Sequence, residues 1–317
     1  MNVSVIIPLY NKLGTIRRAV GSVRAQTCPP SGLVVVDDGS TDGSAASLTA
    51  WLRPGERLVQ QPNGGVSLAR NRGVAEVRSE WVAFLDADDE WSPDFLAAAA
   101  RAVAEAPDVG VVFTNLRLST SLRPWLASAP SGRLPDYFDF FVANRGHGMS
   151  SSSVVVRRDL LLRVGGFPAG LHHGEDLDVW TRLAWEASVA YVPEVLATYH
   201  VTGSPRAMEA GRAQVAAGLA HGIDLCREQL RVHRVPAPLC RSTRAYAQML
   251  AVMQARELKD DQQPAAALRA LRRAFPPPAR LRDWRLYTGA LARCLTPRPL
   301  LQWQRRARAG RTEQESA

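Results

Sequence analysis

The sequence predicts an α/β protein with a mostly parallel sheet, followed by a segment that is helical throughout. Three observations carry this reading. Short apolar runs alternate with helical patterns through the first hundred residues. Two of those runs end in aspartate clusters, Asp37-Asp38-Gly39-Ser40-Thr41-Asp42 and Asp86-Ala87-Asp88-Asp89. The charge also changes sign along the chain. Residues 1–204 hold 18 Lys+Arg against 21 Asp+Glu, whereas residues 205–317 hold 21 against 9. The net charge of +9 therefore belongs to the last third.

Strand-like runs lie at 3–7, 32–37, 56–60 and 80–86, with helical patterns at 14–26, 43–52 and 66–77 between them. Ser92-Pro93-Asp94 opens a helix over 93–105, since proline suits a first helical turn. Residues 109–114 read as a further strand. From 117 to 150 the pattern weakens around Pro124, Pro130 and Pro135, which predicts a long functional or mobile loop. A strand at 152–157, a short helix at 158–163 and the turn Gly165-Gly166 follow. A helix at 175–187 and strands at 189–192 and 195–201 come next. Beyond 207 every segment reads as helix, broken at Pro236, Pro264, Pro276–Pro278 and Pro297. Ala265–Ala274 and the helix before it predict a helical hairpin, and the last ten residues read as disordered.

At 317 residues the chain accommodates one large domain with an appendage. No stretch reaches the roughly 18 uninterrupted apolar residues of a membrane span. The N-terminus lacks a basic signal region, so a cytoplasmic location is expected. Cys28, Cys226, Cys240 and Cys294 are scattered and read as reduced thiols. The basic third suggests an anionic partner, a membrane surface before nucleic acid, although solvated helix faces would give the same composition.

Carboxylates packed at the carboxyl end of a buried strand repel one another and need a neutralising partner. That edge of an open α/β sheet is where ligands sit. In the first cluster, Ser40, Thr41 and Asp42 are explained by capping of the next helix. The adjacent pair Asp37 and Asp38 is not, and a carboxylate there could accept from a nucleobase or a ribose. In the second, Asp86 and Asp88 stand two residues apart on one side of an extended segment. Their oxygens suit Mg²⁺ or Mn²⁺ together with substrate phosphates. Arg70 or Arg72, after the glycines of Asn63-Gly64-Gly65, could hold phosphate. Downstream, Gly174-Glu175-Asp176 opens a helix. Its acids fit either the helix dipole or a general base.

These segments, in this order, resemble family 2 glycosyltransferases of the GT-A fold. The matching pieces are Val5-Ile6-Ile7-Pro8-Leu9-Tyr10-Asn11, Val36-Asp37-Asp38-Gly39-Ser40-Thr41-Asp42, Asn63-Gly64-Gly65 and Ala69-Arg70-Asn71. They continue with Phe84-Leu85-Asp86-Ala87-Asp88-Asp89, Val164-Gly165-Gly166-Phe167 and Gly174-Glu175-Asp176. The resemblance covers residues 1–204. It implies a GT-A catalytic domain, with a nucleotide-sugar half at 1–115 and an acceptor half at 116–204. Residues 205–317 form a basic helical extension outside it.

The resemblance further implies inverting transfer of one sugar from a nucleotide-diphosphate sugar, usually UDP-linked, with Mg²⁺ or Mn²⁺. Carried over, Pro8, Tyr10, Asn11, Asp37 and Asp38 belong to the nucleotide pocket, with Asp38 at the uracil edge. Arg70 lies beside the nucleotide, Asp86 approaches the ribose, and Asp88 ligates the metal. Asp176 is the base and Glu175 stands near the acceptor. The family's metal-reaching histidine has no direct counterpart. Alignment of Tyr199 puts Thr202 in its place, with His200 as the alternative ligand. The acceptor is expected to be a glycan or lipid-linked glycan, selected by residues 117–174. A nucleotidyltransferase of the same fold and a non-catalytic adaptor are the competing readings.

Overall fold

The computed structural model describes residues 1–121, 123–126, 131–201 and 211–274. Its centre is set by the branched run that begins the chain. β1 (Val3–Leu9) is buried along its whole length, and β2 (Gly32–Asp37) along nearly all of it. Alternate residues go to opposite faces, as strand geometry requires. Ile6, Val34, Val36, Val82 and Phe84 enter one core layer. Val5, Ile7, Leu33, Val35 and Ala83 enter the other. Both faces must therefore be covered, and the helices do this.

β1, β2, β3 (Glu56–Gln60) and β4 (Trp81–Phe84) are mutually parallel, in the order β3-β2-β1-β4. The helices α1 (Ile16–Arg24), α2 (Ser44–Thr49) and α3 (Val66–Glu76) connect them. α1 buries Ile16, Ala19, Val20 and Val23, the spacing of one helical face. α3 lies so close to β1 that a Cβ on Gly73 would stand 2.4 Å from Ile6 Cγ2.

Beyond β4 the sheet becomes mixed. β5 (Glu90–Trp91) and α4 (Phe95–Glu105) lead to β6 (Val109–Leu118). Then come β7 (Gly132–Arg133), α5 (Tyr137–Ala143), β8 (Val154–Arg157), α6 (Arg158–Arg163), α7 (Glu175–Glu186) and β9 (Ser188–Tyr199). β8 runs antiparallel between β4 and β6, and β9 pairs parallel with β6.

Four expectations are corrected here. The 117–150 segment contains α5, whose Asp136 side chain accepts from the backbone N–H groups of Phe138 and Asp139. The two strands expected at 189–201 are one strand, kept continuous by irregular pairing with β6. Ser40 and Thr41 do not cap α2. Gly43 holds that position with a φ of +86°, and Asp42 accepts from the Ser44 N–H. Finally, Asp86 and Asp88 lie on a turn closed by Asp89 N–H donating to Asp86 O, not on an extended segment.

The described part of the C-terminal third is helical, as expected: α8 (Arg212–Arg231), α9 (Cys240–Asp260) and α10 (Pro264–Ala274). α9 and α10 make the predicted hairpin, burying Ala255, Ala267 and Leu271 together. α8 and α9 also add Leu219, Ile223, Tyr246 and Leu250 to the layer containing Phe138, Trp180 and Trp185. The core thus runs across residue 204. The expected disordered end, Cys294 and the arginines from Arg280 to Arg308 lie outside the described residues. No described helix is long and apolar enough to cross a membrane.

Candidate active site

The order β2-β1-β4 places three strand ends side by side, so the two aspartate clusters share one sheet edge. Pro8 is buried in β1, and Tyr10 is exposed just past its end. Asn11 is left-handed, with φ of +51°. It laces the neighbouring loops: its N–H donates to Ser40 Oγ (3.0 Å), and its Oδ1 accepts from Thr41 N–H (2.8 Å).

Asp37 and Asp38 are both buried. Asp37 accepts from the Ser40 N–H and from Gln60 Nε2. Asp38 accepts from the Gly64 N–H (2.9 Å), the Gly65 N–H (2.7 Å) and Gln61 Nε2 (2.7 Å). In this form Asp38 organises the glycine loop that opens α3. Gly39 completes the turn. Its φ is +76°, and a Cβ there would lie 2.9 Å from Asn63 N.

Arg70 joins clusters that the sequence keeps far apart. It is buried, and its guanidinium donates to Asp86 Oδ1 (2.8 Å) and to Glu175 Oε1 (2.9 Å). It also lies 5.2 Å from the Phe167 ring centre. An acid after β4 and an acid at the start of α7 thus share one planar cation, a geometry suited to guanidinium.

Asp88 is held differently. Lys12 Nζ stands 2.5 Å from its Oδ2, and Arg18 donates to its backbone carbonyl. Asp89 is fully buried and accepts from Ser152 Oγ and from the His200 N–H. Burial, and then the charge of Asp86, push its carboxyl up to about 7. The His200 ring faces Glu90 Oε1 at 3.1 Å. Ligation through Nε2 of His200 would require that contact to break, and Thr202 lies outside the described residues. No cluster of three metal-ligating side chains occurs among the described residues.

Asp176 faces elsewhere. Gly174, with φ of +79°, caps the start of α7, and the two acids that follow it face different partners. Glu175 turns inward to Arg70, whereas Asp176 lines a cavity of about 590 Å³. Burial and the adjacent Glu175 charge push the Asp176 carboxyl up to about 7, against the pull of Arg70. The cavity walls include Trp125, Phe141, His147, Met149, Tyr199 and Met253. Tyr199 marks the junction of the two sites. Burial and the charges of Asp89, Asp86, Asp88 and Asp176 together push its hydroxyl up to about 12.

Sequence reasoning missed Lys12, Ser152 and the cavity walls from α8 and α9. Lys12 had a usable signal, being a lone cation in the loop after β1. Ser152 had none, because its role depends on pairing with residues more than 60 positions away.

The family model described as Glycosyl transferase family 2 matches residues 4–164. The uncharacterized glycosyltransferase YibD of Escherichia coli is 35% identical over 190 residues, covering 56% of this chain and 54% of YibD. The chain thus spans about half of that relative. Among solved structures, the mannosyltransferase PcManGT of Pyrobaculum calidifontis, in complex with GDP-Man and Mn²⁺, gives a TM-score of 0.62 at 24% identity. That match covers 95% of this chain and 82% of PcManGT. TarS residues 1–349 of S. aureus, in complex with UDP-GlcNAc, give 0.58 at 17% identity, covering 90% and 92%. Both likenesses bear on the fold, which is of the GT-A type. With more than half of its length matched by the family model, the chain belongs to glycosyl transferase family 2 and is a transferase.

Proposed function

We propose that this chain is an inverting, metal-dependent glycosyltransferase. It moves one sugar from a nucleoside-diphosphate sugar, a UDP-sugar in the first instance, to a hydroxyl of a glycan acceptor. One observation carries the reading: Asp176 lines a cavity beside the sheet edge that gathers Asp38, Asp86 and Asp88, and its carboxyl is raised to about 7. A base poised near neutrality suits proton removal from a sugar hydroxyl.

The donor lies along the sheet edge, with its base toward Tyr10 and Asp38 and its ribose toward Asp86. The acceptor occupies the cavity. Its hydroxyl oxygen attacks the anomeric carbon from the face opposite the diphosphate. The new C–O bond forms as the bond to the diphosphate breaks, and the electron pair leaves on the phosphate oxygen. Asp176 takes the hydroxyl proton. Glu175 acts through Arg70, fixing the start of α7 relative to Asp86.

The residues present fit a hard divalent cation. Asp88 offers a largely buried but still accessible carboxylate, 19% exposed, that already attracts a positive group, the Lys12 ammonium. The missing ligands would come from the diphosphate, as is usual for Mg²⁺. Bound there, Mg²⁺ or Mn²⁺ would offset the charge gathering on the leaving diphosphate.

The test is a panel of UDP-, GDP- and dTDP-sugars, titrated calorimetrically with and without Mn²⁺. At least one donor is expected to bind in a metal-dependent way, and Asp88→Ala is expected to abolish that dependence. Binding of none, with Asp88→Ala inert, overturns the reading in favour of a non-catalytic adaptor. Formation of a nucleotide-sugar from a nucleoside triphosphate would identify a nucleotidyltransferase instead.

The basic helical third is proposed to bring the enzyme to an anionic membrane. α10 contributes Arg269, Arg272 and Arg273. Removal of residues 275–317 is expected to lower binding to phosphatidylglycerol vesicles while leaving donor affinity intact. Equal vesicle binding would assign those residues another role.

A further inference from the structure

The cavity has a chemical bias that the transfer reaction does not require. Its walls are apolar and aromatic where Trp125, Phe141, Met149, Leu177, Val215 and Met253 meet. Trp125 packs edge-on against His147, with ring centres 4.6 Å apart. A volume of about 590 Å³ suits a whole small ligand.

The charged groups facing this space are unequal. Two are acids. Asp176 is the base of the proposed reaction. Glu257 lies 3.8 Å from Arg212, which also holds Asp260 at 2.9 Å. The histidines are turned to local partners, His147 to the Asn144 carbonyl and His173 to Gln214. Arg145 and Arg256 remain. Both are exposed, both line the cavity, and neither has an acidic partner among the described residues.

Arg145 also stands where a long side chain is unusual. It ends α5 with φ of +59°, a left-handed position that favours glycine or asparagine. The next residue, Gly146, presses on α9: a Cβ there would lie 2.5 Å from Met253 Sδ. Arg256 follows Met253 by three residues, about one turn, and both arginines line the cavity that Met253 borders. A guanidinium pair above an apolar wall is complementary to a phosphate or carboxylate attached to an apolar body.

We propose that the acceptor is anionic, with its charged group held by Arg145 and Arg256 and its less polar body laid against Trp125 and Met253. This deepens the reading of the cavity as the acceptor site and rests on it.

The experiment uses phenyl phosphate as the probe and the full chain as the protein. The donor site is filled beforehand with the nucleoside diphosphate that the donor panel identifies. Phenyl phosphate is expected to bind at least tenfold more tightly than phenol by calorimetry. The double variant Arg145→Gln, Arg256→Gln is expected to lose about tenfold in that affinity while its nucleotide affinity is unchanged. Both arginines are exposed, and a thermal melt matching the unmodified chain confirms that the variant folds. Unchanged affinity for phenyl phosphate in the double variant overturns the proposal, as does phenol binding equally well. Failure of every donor to bind would instead sink the enzyme reading, which the panel reports independently. A parallel titration with monomeric dihexanoyl phosphatidylglycerol, which presents no membrane to the basic tail, separates two sources of the anion. Binding that the double variant loses supports a lipid-borne group, and no binding alongside binding of phenyl phosphate supports a soluble one.

Discussion

A carboxylate that releases its proton near pH 7 is a better base at neutrality than one that releases it near 4. It is also a worse structural residue. Asp176 is raised to about 7 by burial and by Glu175. An unfolded aspartate titrates near 3.9. Between those values the folded state keeps a proton that the unfolded state has lost, so stability falls as pH rises through that window. Asp176→Asn is therefore expected to raise the melting temperature at pH 7 and above, with little change at pH 4. The same variant is expected to lose at least ~10²-fold in transfer rate while keeping donor affinity. Loss of donor affinity would show that the acid belongs to the donor pocket. In the unmodified chain, transfer should rise about tenfold per pH unit below 7 and level off above it.

Arg70 is the opposite case, a buried charge held by two carboxylates through its terminal nitrogens, with only its Nε left without a partner. Arg70→Met would leave Asp86 and Glu175 facing each other without a cation. Removing one partner from a buried ion pair costs about 3–5 kcal/mol, to be read from the urea midpoint of unfolding. A cost near zero would mean that water replaces the guanidinium. This hub was not legible in the sequence. Arg70 could be seen near a phosphate-binding loop, but its link to Glu175 spans 105 residues and depends on α7 being packed beside α3.

Among the elements, those with a clear period were legible and those shaped by tertiary context were not. The alternation of strands with helices was visible because β1, β2 and β4 are dense apolar runs, while β3 shows only the pair Leu58-Val59 between polar residues. α5 was not, since Tyr137-Phe138-Asp139-Phe140-Phe141-Val142-Ala143 is apolar on nearly every side and shows no helical stripe. Asp136 before that run was its one legible cap signal.

α8 offers a prediction at this scale. It crosses the start of α7 almost backbone to backbone, and a Cβ on Gly218 would lie 2.2 Å from the His173 carbonyl oxygen. Gly218→Ala must push α8 away from His173 and Gly174, which lead directly into Glu175 and Asp176 at the start of α7. The expected cost is about 1–3 kcal/mol, with a fall in turnover and no change in donor affinity. Unaltered turnover would show that Asp176 is positioned without α8.

For the molecule as a whole, the sequence marked residue 204 by a change of charge. Packing ignores that mark. Tyr246 lies against Phe138 and Phe141, with ring centres 5.2 and 4.7 Å away, and its hydroxyl meets Thr181 Oγ1 at 2.9 Å. Trp185 donates from Nε1 to Thr243. Composition reports which residues are charged, not which apolar stripe covers which, so this dependence could not be read from the chain. A fragment of residues 1–204 is expected to aggregate or to bind a hydrophobic dye strongly. A dispersed monomer with native donor affinity would contradict this.

The crossing of Gly174 and Gly218 also bears on redesign. Under the proposed acceptor reading, grafting the C-terminal helices of one relative onto the N-terminal part of another would be a way to exchange acceptor preference. The backbone separation leaves no room for a side chain at the point of contact. A graft with any other residue in place of Gly218 would shift the start of α7, which bears Asp176, before its new cavity walls met a ligand. Libraries of such hybrids should therefore be sorted first at that one position, and only then by the residues that line the pocket.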